Sequence, residues 1–235
     1  GSTVRVNDDT KFSIVTYTGS GANPTTVGHG LGVKPDFIVL KGYIRASGTA
    51  GWYVYHSSVG ATETLWLDLG SAAYDDAGYW NDVEPTSTVW SMQANTGMNS
   101  SGDSYIAYCW AGVEGYSQFG EYTGNGSNDG PVIYTGFSPN YILLKRSDAV
   151  GYWILIDGAR KKYNGTSATP TFASNWDDAN NAAGATNIDF LSNGFKLRLG
   201  GTSYPTSNLA STPYIYAAFA ENPFGGSGVA QAKAR

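Results

Sequence analysis

Two segments of the chain combine acidic side chains with large aromatic ones. In segment 73–82 the candidate ligand-binding residues are Asp75, Asp76, Tyr79, Trp80 and Asp82. In segment 175–181 the candidates are Trp176, Asp177, Asp178 and Asn180. Aromatic faces offer a flat apolar surface on which the C–H groups of a sugar ring can stack, and carboxylate and amide groups can bond its hydroxyls. These residues are therefore the candidate sugar-binding residues of the sequence.

The same two segments allow two other interpretations. Calcium takes several oxygen ligands at once, so Asp75 with Asp76, or Asp177 with Asp178, could hold a calcium ion. Alternatively, the aspartates accept bonds from backbone amides of a polar turn, and the neighbouring rings pack inward. The sequence leaves these interpretations open and predicts no cofactor other than calcium.

Residues suited to catalysis are sparse. The chain has two histidines, His29 and His56, and neither stands in a recognisable zinc or Ser-His-Asp pattern. A glycoside hydrolase needs two carboxylates at a defined separation. Here they would have to come from distant segments, for example Glu114, Glu121 and Asp157. A non-catalytic domain is therefore expected, with a polysaccharide depolymerase as the alternative.

The composition favours short strands and a large core. Of the 235 residues, 14% are charged and 14% are aromatic, and glycine is abundant. The 14 Lys and Arg are scattered among 19 Asp and Glu, so binding to the nucleic-acid backbone is not expected. The lone Cys109 excludes a disulfide framework. No apolar run is long enough to predict a membrane span.

An internal repeat organises the chain. Segments with similar apolar alternation recur in the same order after about 105 residues. The matched pairs are 11–19 with 118–124, 35–41 with 139–145, 51–55 with 152–156, 74–77 with 176–179, 89–92 with 194–197, and 105–111 with 214–220. Segment 105–111 is apolar on both faces, which is typical of a central strand. Trp66 and Trp90 are expected in the core.

The predicted architecture is therefore an all-β sandwich, of jelly-roll or concanavalin-A-like type, with an internal duplication. Residues 1–10 are assigned to a tag scar and lead-in, 11–115 to the first half, 116–224 to the second half, and 225–235 to a flexible Gly- and Ala-rich tail. Since no Pro- or Ser-rich linker separates the halves, they are expected to form one compact body.

The matched segments also resemble a known family. The resemblance covers about residues 11–224 and is carried by Tyr17-Thr18-Gly19, Gly28-His29-Gly30-Leu31-Gly32, 35–41, 52–56 and 105–119, and in the second half by 122–126, Gly136-Phe137, 187–198 and 218–224. In these segments the chain is similar to a repeat-containing domain in tail-fibre-like proteins of bacteriophages, especially marine ones. The resemblance implies a virion surface location and a concanavalin-A-like sandwich. It brings no set of catalytic residues.

The expected function is that of a lectin-like domain of a phage appendage, a tail fibre or related surface protein, which binds a host cell-surface glycan. The low charge suits an uncharged ligand, because desolvating ions is costly. A structural, self-assembling virion or head-decoration module is the main alternative to binding. Expected partners are the host polysaccharide, other virion proteins and further copies of the chain, as in a trimer.

Overall fold

The part of the chain that the structure describes is all-β, as predicted. The structure is a computed structural model and describes residues 1–46, 51–160, 164, 172–173, 187–198 and 207–220. These residues form antiparallel sheets consistent with a β-sandwich, and no helix occurs among them. The chain divides into two compact units, Gly1–Gly112 (unit 1) and Val113–Arg235 (unit 2).

Unit 1 is built on a seven-stranded sheet and a separate strand pair. Its strands are β1 (Ser2–Asn7), β2 (Phe12–Thr18), β3 (Thr25–Gly28), β4 (Phe37–Ile44), β5 (Trp52–His56), β6 (Glu63–Trp66), β7 (Tyr74–Asp75), β8 (Val89–Met92) and β9 (Ser104–Trp110). The sheet has the order β1-β2-β9-β4-β5-β6-β7, and β3 pairs with β8. β9 is a central strand, as its two apolar faces predict.

The core of unit 1 forms between these two sheets. Alternate residues of the large sheet, such as Val15, Ile38 and Tyr105, are fully buried against Trp90 and Met92 of β8. This period of two follows from the pleat, which directs successive side chains to opposite faces. The prediction that Trp90 lies in the core is confirmed.

Unit 2 has a five-stranded sheet with the order β10-β17-β12-β13-β14 and a three-stranded sheet with the order β11-β16-β15. Its strands are β10 (Ser117–Thr123), β11 (Val132–Tyr134), β12 (Pro139–Arg146), β13 (Trp153–Asp157), β14 (Phe172–Ala173), β15 (Ile188–Leu191), β16 (Gly194–Leu197) and β17 (Pro213–Ala220). Its core joins Ile142, Ile154 and Ala218 of the larger sheet to Ile133 and Phe195 of the smaller one.

The two units share a strand order and a local motif. The run β2-β9-β4-β5 of unit 1 has the same order as the run β10-β17-β12-β13 of unit 2. In unit 1, Tyr17 stacks on Tyr105 with ring centroids 5.1 Å apart; in unit 2, Tyr122 stacks on Tyr214 at 5.0 Å. The hydroxyl of the first tyrosine donates to a backbone carbonyl at 2.7 Å in both units. A common origin of the two halves stays a prediction that this likeness supports.

The ends of the predicted domains differ from those of the structural units. Residues 1–10, assigned above to a tag scar and lead-in, contain β1, which pairs with β2 along its whole length. The lone partly buried side chain of β1, Val4, packs against the core of unit 1. The structural boundary falls at 112/113 instead of 115/116. The predicted tail, 225–235, lies outside the described residues, and whether the halves form one body stays a prediction.

Candidate functional site

Segment 73–82 lies in unit 1, where it begins with β7 at the edge of the large sheet. Asp75 is exposed and stands opposite Glu63 of β6, while Tyr74 stands opposite Thr64. Asp76 follows β7 and accepts a bond from the Gly78 N–H at 2.7 Å. Asp76 therefore closes a polar turn, as the turn interpretation predicts.

Trp80 is not available as a sugar-stacking residue in this structure. Its side chain is 1% exposed and contacts Tyr55 edge-on with a centroid distance of 5.8 Å. The indole Nε1–H donates to Thr64 Oγ1 at 3.2 Å, which satisfies the one polar atom of the ring. The expectation that Trp80 contacts a ligand is therefore corrected: it is a core residue that anchors the segment.

Of the remaining predicted residues, Asp82 is described by the structure, and Asp75 and Asp76 are also the predicted calcium ligands. Asp82 is exposed and has a φ of 51°, directly after Asn81, which has a φ of 60°. Among the described residues, no three His, Cys, Asp or Glu side chains come together as a potential metal site. Calcium at Asp75 and Asp76 therefore has no third acidic ligand in this part of the chain.

Four predicted residues lie outside the described residues: Trp176, Asp177, Asp178 and Asn180.

Three partly exposed aromatic rings meet at the edge of the large sheet, and we name Trp66, Tyr74 and Tyr79 the aromatic ledge. Trp66 contacts Tyr79 at a ring angle of 90° and a centroid distance of 5.6 Å, and contacts Tyr74 at 6.1 Å. Tyr74 is 52% exposed. Tyr53, opposite Trp66 in the β5–β6 register, lies behind the ledge and is 5.5 Å from Tyr79.

The ledge is held by the core behind it. Trp66 and Tyr79 both pack against the core cluster of unit 1 on their inner sides. Burial raises the pKa of Tyr79, and Tyr53 and Asp76 raise it further by their nearby charges. The Asn95 side chain opposes this rise. The rings are thus positioned by packing against the core, as a preorganised binding surface requires.

Polar groups surround the ledge. Asp68, two residues after Trp66, is exposed and accepts a bond from the Trp52 N–H at 3.0 Å. Burial raises the pKa of Tyr53, and Arg45 opposes this rise. Arg45 donates to Thr96 O at 2.8 Å and to Asp103 Oδ2 at 3.4 Å. Apolar ring faces therefore lie beside carboxylates, as recognition of a polyhydroxylated ligand requires.

Sequence reasoning found Tyr79 but placed Trp66 in the core and did not select Tyr74. Trp66 stands in the run Thr64-Leu65-Trp66-Leu67, between two leucines. This position in a short apolar run is typical of a buried ring. Its partial exposure arises because β6 lies next to β7, a strand of two residues at the end of the sheet. No local signal in the sequence marks that edge.

The candidate catalytic groups have structural roles or lie exposed at the surface. His29 and His56 are buried, and each Nδ1 accepts a bond from the backbone N–H two residues ahead. Asp157 is ion-paired with Arg160 at 3.1 Å. Glu114 and Glu121 are exposed.

His29 should make the stability of the protein sensitive to acid. Its Nδ1 accepts from the Leu31 N–H at 3.2 Å, so Nε2 carries the proton that it donates to Thr86 O. Burial lowers the pKa of His29 below its usual 6.5. The unfolded chain therefore binds this proton more readily, and the stabilising contribution, complete above about pH 6.5, is lost as the pH falls through the folded-state pKa.

Urea unfolding followed by tryptophan fluorescence at pH 7.5 and pH 5 would check this expectation. The wild-type midpoint should fall on acidification by more than that of a His29→Gln variant, which cannot titrate at this position. Since His56 is retained in both proteins, it serves as a constant background. Equal falls in the two proteins would contradict the role assigned to His29.

Comparison with known proteins identifies a family but no function. Residues 1–223 match the model of a protein family described as a domain of unknown function, DUF7483. No curated protein and no solved structure matches the chain. In the part of the chain that the structure describes, no helix is long and apolar enough to cross a membrane.

Proposed function

We propose that the chain, which belongs to the DUF7483 family of domains of unknown function, is a non-catalytic domain of a bacteriophage appendage and binds a glycan on the host cell surface through the aromatic ledge. The appendage is a tail fibre or a related virion surface protein. This location is supported by the resemblance of residues 11–224 to tail-fibre-like proteins.

The observation that carries the binding proposal is the ledge itself. Trp66, Tyr74 and Tyr79 present ring surface at one place instead of burying it, although the neighbouring Trp80 and Trp90 are fully buried. Exposed aromatic clusters next to polar groups are characteristic of binding surfaces. The all-β scaffold supplies a rigid support, because both Trp66 and Tyr79 also pack on the core.

Binding of the purified full chain to a glycan array and to host envelope polysaccharide tests the proposal. A Tyr74→Ala variant should weaken binding about tenfold, because the ring loses its stacking contact with the sugar. Tyr74 is 52% exposed, so its removal should leave folding nearly unchanged. Tyr134→Ala is the matched control, since Tyr134 is 67% exposed but lies in unit 2.

The outcomes separate the candidate functions. Binding that Tyr74→Ala weakens and Tyr134→Ala does not would support the ledge as the glycan site. Equal effects of the two variants, or no glycan binding by the wild type, would contradict it. Release of fragments from the polysaccharide would overturn the non-catalytic assignment and favour a depolymerase.

A further inference from the structure

Two carboxylates lie next to residues of the ledge. Asp68 lies two residues after Trp66 and accepts a bond from the N–H of Trp52, the residue before Tyr53. Asp76 lies two residues after Tyr74, and its backbone carbonyl accepts a bond from the Tyr79 N–H at 3.2 Å. Asp68 is exposed and Asp76 is partly exposed. Each is held in place by one bond that its Oδ1 accepts from a backbone N–H. Their positions are therefore fixed by the fold.

The neighbouring cation does not offset these carboxylates. Arg45 lowers the pKa of Tyr53, which lies behind the ledge, but the Arg45 side chain is only 12% exposed. Its guanidinium is directed to the Thr96 carbonyl and to Asp103, whose carboxylate also accepts a bond from the Ala46 N–H at 2.9 Å. Because Asp103 balances the charge of Arg45, Arg45 does not neutralise Asp68 and Asp76.

On the premise of the proposed function, we infer that the ledge accepts uncharged and amine-bearing sugars and rejects glycans that carry carboxylate, sulfate or phosphate groups. An acidic group placed near the rings would face Asp68 and Asp76 with a like charge and would have to be desolvated without a cationic partner. An ammonium group gains from the same carboxylates and from the electron-rich faces of Trp66 and the tyrosines.

Replacing the two carboxylates by amides tests this selectivity without removing the bonds that position them. Asp68→Asn and Asp76→Asn each retain the Oδ1 atom that accepts the backbone N–H, so the local fold should persist. The matched control is Asp75→Asn, because Asp75 stands on the face of β7 opposite to Tyr74. Wild type, the Asp68→Asn/Asp76→Asn double variant and the control would be applied to arrays containing neutral, amine-bearing and acidic forms of each glycan.

In the wild type, the glycans whose binding depends on Tyr74 should lack acidic groups. The double variant should gain affinity for the acidic forms by roughly fivefold for each charge removed, as expected for like charges about 4 Å apart in water. It should also lose part of its affinity for the amine-bearing forms. Both changes should shrink at high salt, and Asp75→Asn should behave as the wild type.

Two different failures can be distinguished. If acidic glycans are among the Tyr74-dependent ligands of the wild type, or if the double variant leaves the selectivity unchanged, the charge selectivity is overturned while the proposed function stands. If no glycan binds in a Tyr74-dependent manner, the proposed function itself fails, and the selectivity fails with it.

Discussion

Replacing Gly19 by alanine should lower the free energy of unfolding by about 3 kcal/mol, at the upper end of the usual cost of overpacking. A Cβ atom at this position would lie 2.1 Å from the carbonyl oxygen of Ser100. The backbone cannot easily move away, because the Gly19 N–H donates to Asp103 O at 2.9 Å and its carbonyl accepts from Gly102 N–H at 3.0 Å. The clash must therefore be relieved by breaking one of these bonds or by displacing the Ser100 turn.

Gly124 occupies the corresponding place in unit 2 and should respond in the same way. A Cβ atom there would lie 2.2 Å from the carbonyl oxygen of Leu209. The Gly124 N–H donates to Thr212 O, and its carbonyl accepts from Ser211 N–H, both at 2.9 Å. Urea denaturation of Gly19→Ala, Gly124→Ala and wild type would measure both effects.

Gly28→Ala is the control for this pair. A Cβ atom at Gly28 would meet its nearest neighbours at 3.8 Å, which is ordinary van der Waals contact. This variant should stay within about 1 kcal/mol of the wild type. If Gly19→Ala were no less stable than Gly28→Ala, the close approach of the Gly19 and Ser100 backbones would not be a structural requirement.

Removing the buried amide of Asn99 or of Asn208 should also cost about 3 kcal/mol in each case, because each amide makes several part-buried hydrogen bonds to backbone groups that alanine cannot make. Asn99 Oδ1 accepts from Ser20 N–H at 2.8 Å, and its Nδ2 donates to the Ala22 carbonyl at 2.9 Å. Asn208 does the same in unit 2, with Asn125 N–H at 2.9 Å and the Ser127 carbonyl at 2.8 Å.

Thermal and urea unfolding of Asn99→Ala and Asn208→Ala would measure these costs. Asn7→Ala is the comparison variant, because the exposed Asn7 side chain also accepts bonds from two backbone N–H groups, those of Asp9 and Thr10. Water can accept bonds from these two N–H groups in place of the Asn7 side chain, so Asn7→Ala should cost about 1 kcal/mol or less. Three variants of equal stability would show that burial of the amide is not what makes Asn99 and Asn208 important.

Much of the strand framework could be predicted from the sequence. Segments 35–41 and 139–145 correspond to β4 and β12, and the alternation in 105–111 and 214–220 corresponds to β9 and β17. Alternation is a local property, because each strand turns successive side chains to opposite faces. The repeat predicts that these elements recur in the same order along the chain. The two units share a run of four strands with the same order in the sheet, which the sequence alone did not predict.

The candidate site was predicted less completely. Segment 73–82 was selected because it mixes carboxylates with rings, and Tyr79 does lie in the ledge. Trp80, the next residue, is instead a core residue bonded to Thr64, and no feature of the local sequence separates the two. Trp66 and Tyr74 become partners of Tyr79 only because β6 and β7 end the large sheet.

The sequence by itself determined the strand class of this protein, the positions of its central strands and the low charge that favours an uncharged ligand. These depend on side-chain types and on a period of two, both of which are read along the chain. Only the tertiary structure decided that Trp80 is buried while Trp66, Tyr74 and Tyr79 meet at the surface, and that Asp68 and Asp76 stand beside their rings. Those facts depend on strand register and on which strand lies at the edge of a sheet, and contacts between residues far apart in the chain set both.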